Sequence, residues 1–233
     1  SAARVTAVIP YFPYVRSDKK DQPRISIAAR LMADLIERAG ADRILAMDFH
    51  SPQIQGFFHV PVDQLIAAPI ICSHYRERNL EDYVLVAADA GEAKDIGRYA
   101  NRLNLPIAII DKRRYGNDDR PRAVNLIGDV QGKHALIMDD EISTGGTIVE
   151  AARFLLEKAG AKDVHVGAVH PIFCGDAIRN IVESPIEEVL VTNTLPVTPE
   201  KAHPKIKVLS VASLFARAIT CINHGDSISS LFK

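Results

Sequence analysis

Short apolar runs alternate along this chain with longer stretches in which apolar residues return every three or four positions. The first run, Val5 to Ile9, predicts a strand, and the polar, proline-flanked stretch from Pro10 to Pro23 predicts a loop. A helix is expected from Ser26 to Ala39, with Ile27, Leu31 and Leu35 on one face and Gly40 as its stop. Arg43 to Asp48 reads as the next strand. Val60 to Asp63 leads toward a second unit, which Pro69 opens with a helix to about Arg78. From Tyr83 the alternation becomes regular. Strands are expected at Val84–Ala88, Ile107–Ile110, Leu126–Val130, Ala135–Met138, Val164–Val169, Val189–Thr192 and Ile206–Leu209. Helices are expected at Gly91–Leu103, Thr147–Ala159, Asp176–Val182 and Val211–Ile222, with a charged loop from Lys112 to Ala123. Strands alternating with helices imply an α/β fold with a mostly parallel sheet.

Composition narrows the class. A chain of 233 residues, 47% hydrophobic and 24% charged, suits a globular protein of one large or two small domains. The net charge of −1 offers no attraction for nucleic acid or a membrane surface, and no apolar run is long enough to span a bilayer. Cys72, Cys174 and Cys221 are odd in number and widely spaced, which suggests neither a disulfide framework nor a metal knuckle. With no leader-like opening, a cytoplasmic location is expected.

The chemistry concentrates at Leu136-Ile-Met-Asp139-Asp140-Glu141-Ile142-Ser143-Thr144-Gly145-Gly146-Thr147. An apolar strand ends in two carboxylates, a short polar loop with a glycine pair follows, and a helix begins. Backbone N–H groups from Ser143 to Thr147 can converge on one point, reinforced by the positive end of the helix dipole. Such a cradle suits a phosphate, and Asp139 and Asp140 beside it can hold sugar hydroxyls directly or through a divalent cation. A phosphorylated sugar fits better than a free base. The stretch resembles the binding loop of the phosphoribosyltransferase fold family.

Other candidates also fall at expected strand ends, where sites in parallel α/β sheets lie. His50 follows Asp48 and precedes Gln53 and Gln55, as a candidate metal or phosphate contact. Asp89 is a candidate Mg²⁺ ligand through water, or a cap for the helix near Gly91. Asp111 to Arg122, with Lys112, Arg113 and Arg114, reads either as a solvated segment or as a mobile lid whose cations meet a polyphosphate. Arg16, Lys19 and Lys20 form a second basic loop.

Taken together, Val8-Ile-Pro-Tyr with Arg16 to Lys20, Asp48-Phe-His-Ser-Pro-Gln-Ile-Gln-Gly-Phe-Phe, Lys112-Arg-Arg, Ile127-Gly-Asp-Val, the loop from Asp139 to Thr147 and the tail Asp226 to Phe232 resemble the ribose-phosphate pyrophosphokinases. The resemblance covers essentially the whole chain. It implies two related phosphoribosyltransferase-like α/β domains, residues 1–66 on the ATP side and 67–222 on the ribose 5-phosphate side, with a tail at 223–233. It implies Mg²⁺-dependent transfer of the pyrophosphoryl group of ATP to the anomeric hydroxyl of ribose 5-phosphate, with AMP leaving. Lys112 and Arg114 are the implied catalytic cations. Arg16, Ser17, Asp21, His50 and Asp63 are implied at ATP, and His50 and Asp89 at the metal. Asp139 and Asp140 are implied at the ribose, and Ser143, Thr144, Gly145, Gly146 and Thr147 at its 5-phosphate. Members assemble from dimers, commonly into hexamers. Ser17 stands where the family has Gln, Ala87-Ala88 where it has Ser-Pro, Glu92 where it has Gly and Ser143 where it has Asp. Because Val5–Ile9 matches an internal strand, further chain is expected before Ser1, leaving the first domain incomplete and one strand edge exposed. A non-catalytic regulatory subunit is the alternative, opposed by the retained Lys112, Arg114, His50, Asp89 and aspartate pair. A phosphoribosyltransferase would need a base-binding hood, and no segment supplies one.

Overall fold

The computed structural model describes residues 2–20, 22–89, 91, 93–113 and 122–232, which form two units. In the first, β1 (Thr6–Ile9), β2 (Arg43–Met47) and β3 (Val62–Leu65) make a parallel sheet in that order, joined by α1 (Ala28–Arg38) and a 3₁₀ turn at Pro52–Phe57. The stretch expected only to lead out of the unit is therefore itself a strand. Ile27 caps α1 and Leu31 and Leu35 lie within it, yet Leu31 and Leu35 are exposed. The helix packs instead through fully buried Ala29 and Ala33, with Met32 and Ile36 beside them. Alanine lets the helix approach the sheet closely, so the smaller residues take the interface and the leucines are left outside.

In the second unit, β4 (Tyr83–Ala87), β5 (Ile107–Arg113), β6 (Arg122–Ile127), β7 (His134–Ile142), β8 (Asp163–Pro171), β9 (Glu188–Thr192) and β10 (Ile206–Leu209) form one sheet in the order β10-β9-β8-β7-β4-β5-β6. All neighbours are parallel except the β5–β6 hairpin. The unit also holds α2 (Ala68–Arg76), α3 (Ala93–Leu103), α4 (Gly146–Glu157) and α5 (Ala177–Val182). Alternate residues Val84, Val86, Ala135, Ile137, Val164, Val166, Val189 and Val191 share one core with Ala151, Ala152 and Leu155 of α4. Strands buried on both faces explain the near-continuous apolar runs in the sequence. The last helix, α6 (Ala212–His224), groups with residues 1–67, whereas the sequence boundary had placed it with the second domain. Arg4 ties it there by donating to the Ile222 carbonyl at 2.8 Å. No helix among the described residues is long and apolar enough to cross a membrane.

Three boundaries depart from the pattern. β7 does not stop at Met138 but runs through the acidic residues to Ile142, because β8 is equally long and pairs Asp139 with Ala168, Glu141 with His170 and Ile142 with Pro171. The strand expected at 126–130 is displaced to Arg122–Ile127, and the charged loop expected from Lys112 begins inside β5. The hairpin partner supplies ladder bonds that the local composition does not advertise. Residues 114–121 of the expected lid lie outside the described residues.

Gly128 ends β6 with φ +102°, and a Cβ there would stand 2.9 Å from the Ile107 carbonyl oxygen and 3.0 Å from Ala108 Cα. Both the backbone angle and the space require glycine. Gly128→Ala is expected to lower stability by about 2 kcal/mol or more. An unchanged urea midpoint would show that β6 does not leave the sheet this way.

Candidate functional site

The strand order reverses between β4 and β7, since β4 continues outward through β5 and the chain returns on its other side through β7. Ligand crevices in open α/β sheets lie at the carboxyl ends of strands flanking such a reversal. Asp89 lies two residues past β4, and Asp139 and Asp140 lie in the last part of β7, so this unit gathers three half-buried carboxylates at that end of adjacent strands.

Beyond them the chain turns through Ser143 to Gly145 into α4. Gly145 takes the left-handed conformation, φ +75° and ψ −5°, as N-cap, without which the chain cannot turn so sharply from strand to helix. The loop is held from outside itself. Phe173 and Cys174 donate their backbone N–H groups to Ile142 and Ser143 at 3.0 Å, and Asn180 of α5 donates to the Thr144 carbonyl at 3.0 Å. Ser143 Oγ lies 3.1 Å from Cys174 Sγ. These bonds occupy carbonyls, while the N–H groups of the first helical turn have no intrahelical acceptor by geometry. Thr144, Gly146 and Thr147 are exposed. The result is an exposed loop tied by non-local bonds at a helix N-terminus, an arrangement suited to an anion.

The carboxylates beside it are positioned by their own backbone. Asp139 Oδ1 accepts from Asp140 N at 2.8 Å, and Asp89 Oδ1 accepts from Gly91 N at 2.7 Å. Asp89 therefore makes a local turn, and α3 begins only at Ala93. Sequence reading missed the layer beneath. Glu141, His170, Thr192 and Thr194 are buried, with His170 Nδ1 2.9 Å from Thr194 Oγ1 and Thr192 Oγ1 donating to the Val169 carbonyl. Glu141 lies inside the acidic stretch already singled out, but His170, Thr192 and Thr194 follow apolar runs, and the four are brought to one level only through strand register, which neither motif nor period reveals. Lys112 occupies β5 beside a bulge, and its side chain lies outside what the structure describes, as does all of Arg114.

The first unit arranges the other candidates. Asp48 is buried in the left-handed region, φ +35°, and its carboxylate accepts from Ala67 N at 2.6 Å, so it shapes the turn. His50 follows it, exposed. Phe49 and Phe58 from this turn meet Phe12 edge-on, each with ring centroids 5.6 Å apart. Phe12 and Val15, buried within an otherwise polar loop, thus anchor the basic segment that carries exposed Arg16 and half-buried Ser17. The Ser17 carbonyl accepts from Ala29 N at the start of α1. The isolated apolar residues in Pro10–Pro23 were the available signal for that anchor. Asp63, on β3, pairs with Arg43 Nε at 2.5 Å, and this partner raises the Arg43 pKa. Asp21 lies outside the described residues.

The fold is that of a mostly parallel α/β protein with a glycine-bearing strand–loop–helix junction beside carboxylates at its sheet reversal. Comparison with known proteins specifies it further. Residues 117–233 match the phosphoribosyl synthetase-associated domain, and residues 1–40 match the N-terminal domain of ribose phosphate pyrophosphokinase. A ribose-phosphate pyrophosphokinase from Rhodopirellula baltica is 49% identical across all of this chain and 74% of its own length. One from Caldanaerobacter subterraneus is 48% identical, with 73% of its length covered. The crystal structure of phosphoribosylpyrophosphate synthetase from Mycobacterium smegmatis superposes with a TM-score of 0.89 at 42% identity, over 97% of this chain and 73% of that one. The chain belongs to the ribose-phosphate pyrophosphokinase family of enzymes.

The left-handed Gly145 gives the loop a sharp test. Gly145→Val is expected to cost about 1–2 kcal/mol of stability, and Gly145→Asn clearly less, because asparagine tolerates that region. Equal losses for both in chemical denaturation would mean that backbone conformation is not the constraint.

Proposed function

We propose that this chain transfers the pyrophosphoryl group of ATP to the anomeric hydroxyl of ribose 5-phosphate, forming 5-phosphoribosyl 1-diphosphate and AMP for nucleotide biosynthesis in the cytoplasm. The observation that carries the reading is the loop from Ser143 to Thr147, at the carboxyl end of β7 beside the strand reversal, in a chain 49% identical over its whole length to a ribose-phosphate pyrophosphokinase.

In this reading the N–H groups of Ser143 to Thr147 hold the 5-phosphate, and Asp139 and Asp140 hold the ribose hydroxyls. The sugar is thereby fixed at both ends, which converts a bimolecular encounter into a positioned one. Its anomeric hydroxyl gives up its proton to solvent as the oxygen attacks the β-phosphorus of ATP, a new P–O bond forms, and the bond from that phosphorus to the oxygen bridging to the α-phosphate breaks to release AMP. Lys112 and Arg114 neutralise charge on the moving phosphoryl oxygens. Arg16, Ser17, Asp21, His50 and Asp63 contact ATP. In the structure the Asp63 carboxylate meets Arg43, so this contact requires a change of partner.

The oxygen donors Asp89, Asp139 and Asp140 fit a hard cation that keeps several waters, which is Mg²⁺ rather than a thiolate-seeking metal. When bound, Mg²⁺ supplies charge neutralisation at the polyphosphate. Asp89 and the ring of His50 are the residues assigned to it, with Asp89 acting through water. The working form is a homo-oligomer built from dimers, a hexamer.

With ATP labelled at the β-phosphorus, the label is expected in the sugar product, with AMP in equal amount. Release of ADP, or AMP formation independent of ribose 5-phosphate, would contradict this chemistry. Lys112→Ala is expected to lower kcat by about a hundredfold or more with a smaller change in KM, as for a charge contact made in the transition state. A rise in KM alone would make Lys112 a binding residue.

A further inference from the structure

At the opposite end of the second sheet from the phosphate loop, the first residues of β7 and β8 bring together a cluster that pyrophosphoryl transfer does not use. His134 opens β7, Asp163 opens β8, and the two are register partners. His165 lies two residues along β8 and so projects from the same face as Asp163. His134 Nδ1 stands 2.7 and 2.9 Å from the two Asp163 oxygens, and His165 Nε2 stands 3.3 Å from Asp163 Oδ1. One donor atom from each of the three residues fits within a 4.8 Å sphere of mutual distance. The side chains are 21%, 23% and 13% exposed, so the cluster is half-sheltered yet open to an ion from solvent.

An ion pair between Asp163 and His134 explains two of these residues and leaves the third. His165 faces Asp163 through Nε2, at ion-pair distance, while Nδ1 on the far side of its ring is buried with no hydrogen-bond partner among the described residues, so Nε2 is the ring atom turned to the cluster. Burial also pushes its pKa down, with Asp163 opposing. The surroundings add rigidity. Tyr83 stacks on His134 at 4.8 Å and 19°, and Glu188, the register partner of His165, is held by Arg78. Lys162 meets the other ring nitrogen of His134. It is exposed, and its Nζ donates to His134 Nε2 at 3.2 Å, which leaves the Nδ1 proton pointing at Asp163.

We propose that His134, Asp163 and His165 form a binding site for a divalent transition-metal ion of the Zn²⁺ class, bracing the start of β7 against the start of β8. Two imidazoles and a carboxylate are a borderline donor set that favours Zn²⁺ or Co²⁺ over Mg²⁺ or Ca²⁺, with solvent completing the coordination. Ligation through His134 Nδ1 requires the ring proton to move from Nδ1 to Nε2, through solvent, so that Nε2 no longer accepts from Lys162 and Lys162 swings outward. A second grouping, Asp34, Glu37 and His59, is committed elsewhere: Glu37 accepts from the His59 and Val60 backbones, Asp34 pairs with Arg30, and the His59 side chain is 72% exposed.

The full chain, stripped with a chelator, is to be titrated with Co²⁺ and then Zn²⁺. One equivalent of Co²⁺ with visible d–d bands is expected, displaced by Zn²⁺ but not by millimolar Mg²⁺, together with a thermal midpoint raised by several degrees at saturating Zn²⁺. His134→Gln and His165→Gln should each weaken Co²⁺ binding at least tenfold, and His59→Ala should leave it unchanged. Should the glutamine variants fail to fold, ring resonances of the wild-type histidines decide: Zn²⁺ must move those of His134 and His165. Absence of stoichiometric Co²⁺ binding, binding that survives the glutamine variants, or ring shifts confined to other histidines would overturn the proposal.

Discussion

The pairing of β4 with β7 is the constraint on which the second unit depends. Once β7 returns alongside β4, the chain has to leave its carboxyl end through a tight turn before α4 can cover the sheet. That turn needs a left-handed residue, and Gly145 supplies it. The same geometry leaves the first N–H groups of α4 without internal acceptors, at the end of the sheet where Asp139, Asp140 and Asp89 also lie. In the proposed reading fold and site share one cause: the reversal in strand order sets where a ligand binds, and the turn it forces supplies the donors.

Bonds that hold the loop come from segments distant in sequence. Phe173, Cys174 and Asn180 fix the carbonyls of Ile142, Ser143 and Thr144, so the loop is shaped before any anion arrives. Pre-shaping matters for a phosphate site, since the ordering entropy has already been met during folding. In the first unit the equivalent work falls to aromatic packing. Phe12, Phe49 and Phe58 bind a basic loop to the turn that carries His50.

Much of this was legible in the residue pattern. The strand–loop–helix junction at Asp139–Thr147 and the alternation after Tyr83 follow from apolar period and glycine placement, both local properties. What escaped reading was non-local. β7 runs on through its acidic end because β8 partners it there, and β5 runs past Ile110 because β6 folds back on it. α1 buries alanines and exposes Leu31 and Leu35, which hydrophobicity alone ranks the wrong way round. The engagement of Asp63 with Arg43, the buried layer of Glu141, His170, Thr192 and Thr194, and the cluster around His165 all depend on register between strands.

The central claim is that the strand reversal and Gly145 build the seat of the sugar's 5-phosphate. A crystal of the protein soaked with ribose 5-phosphate tests it most directly. The phosphate is expected on the backbone N–H groups between Ser143 and Thr147, with the ribose hydroxyls against Asp139 and Asp140. Phosphate density elsewhere, with that loop closed by a side chain, would contradict it.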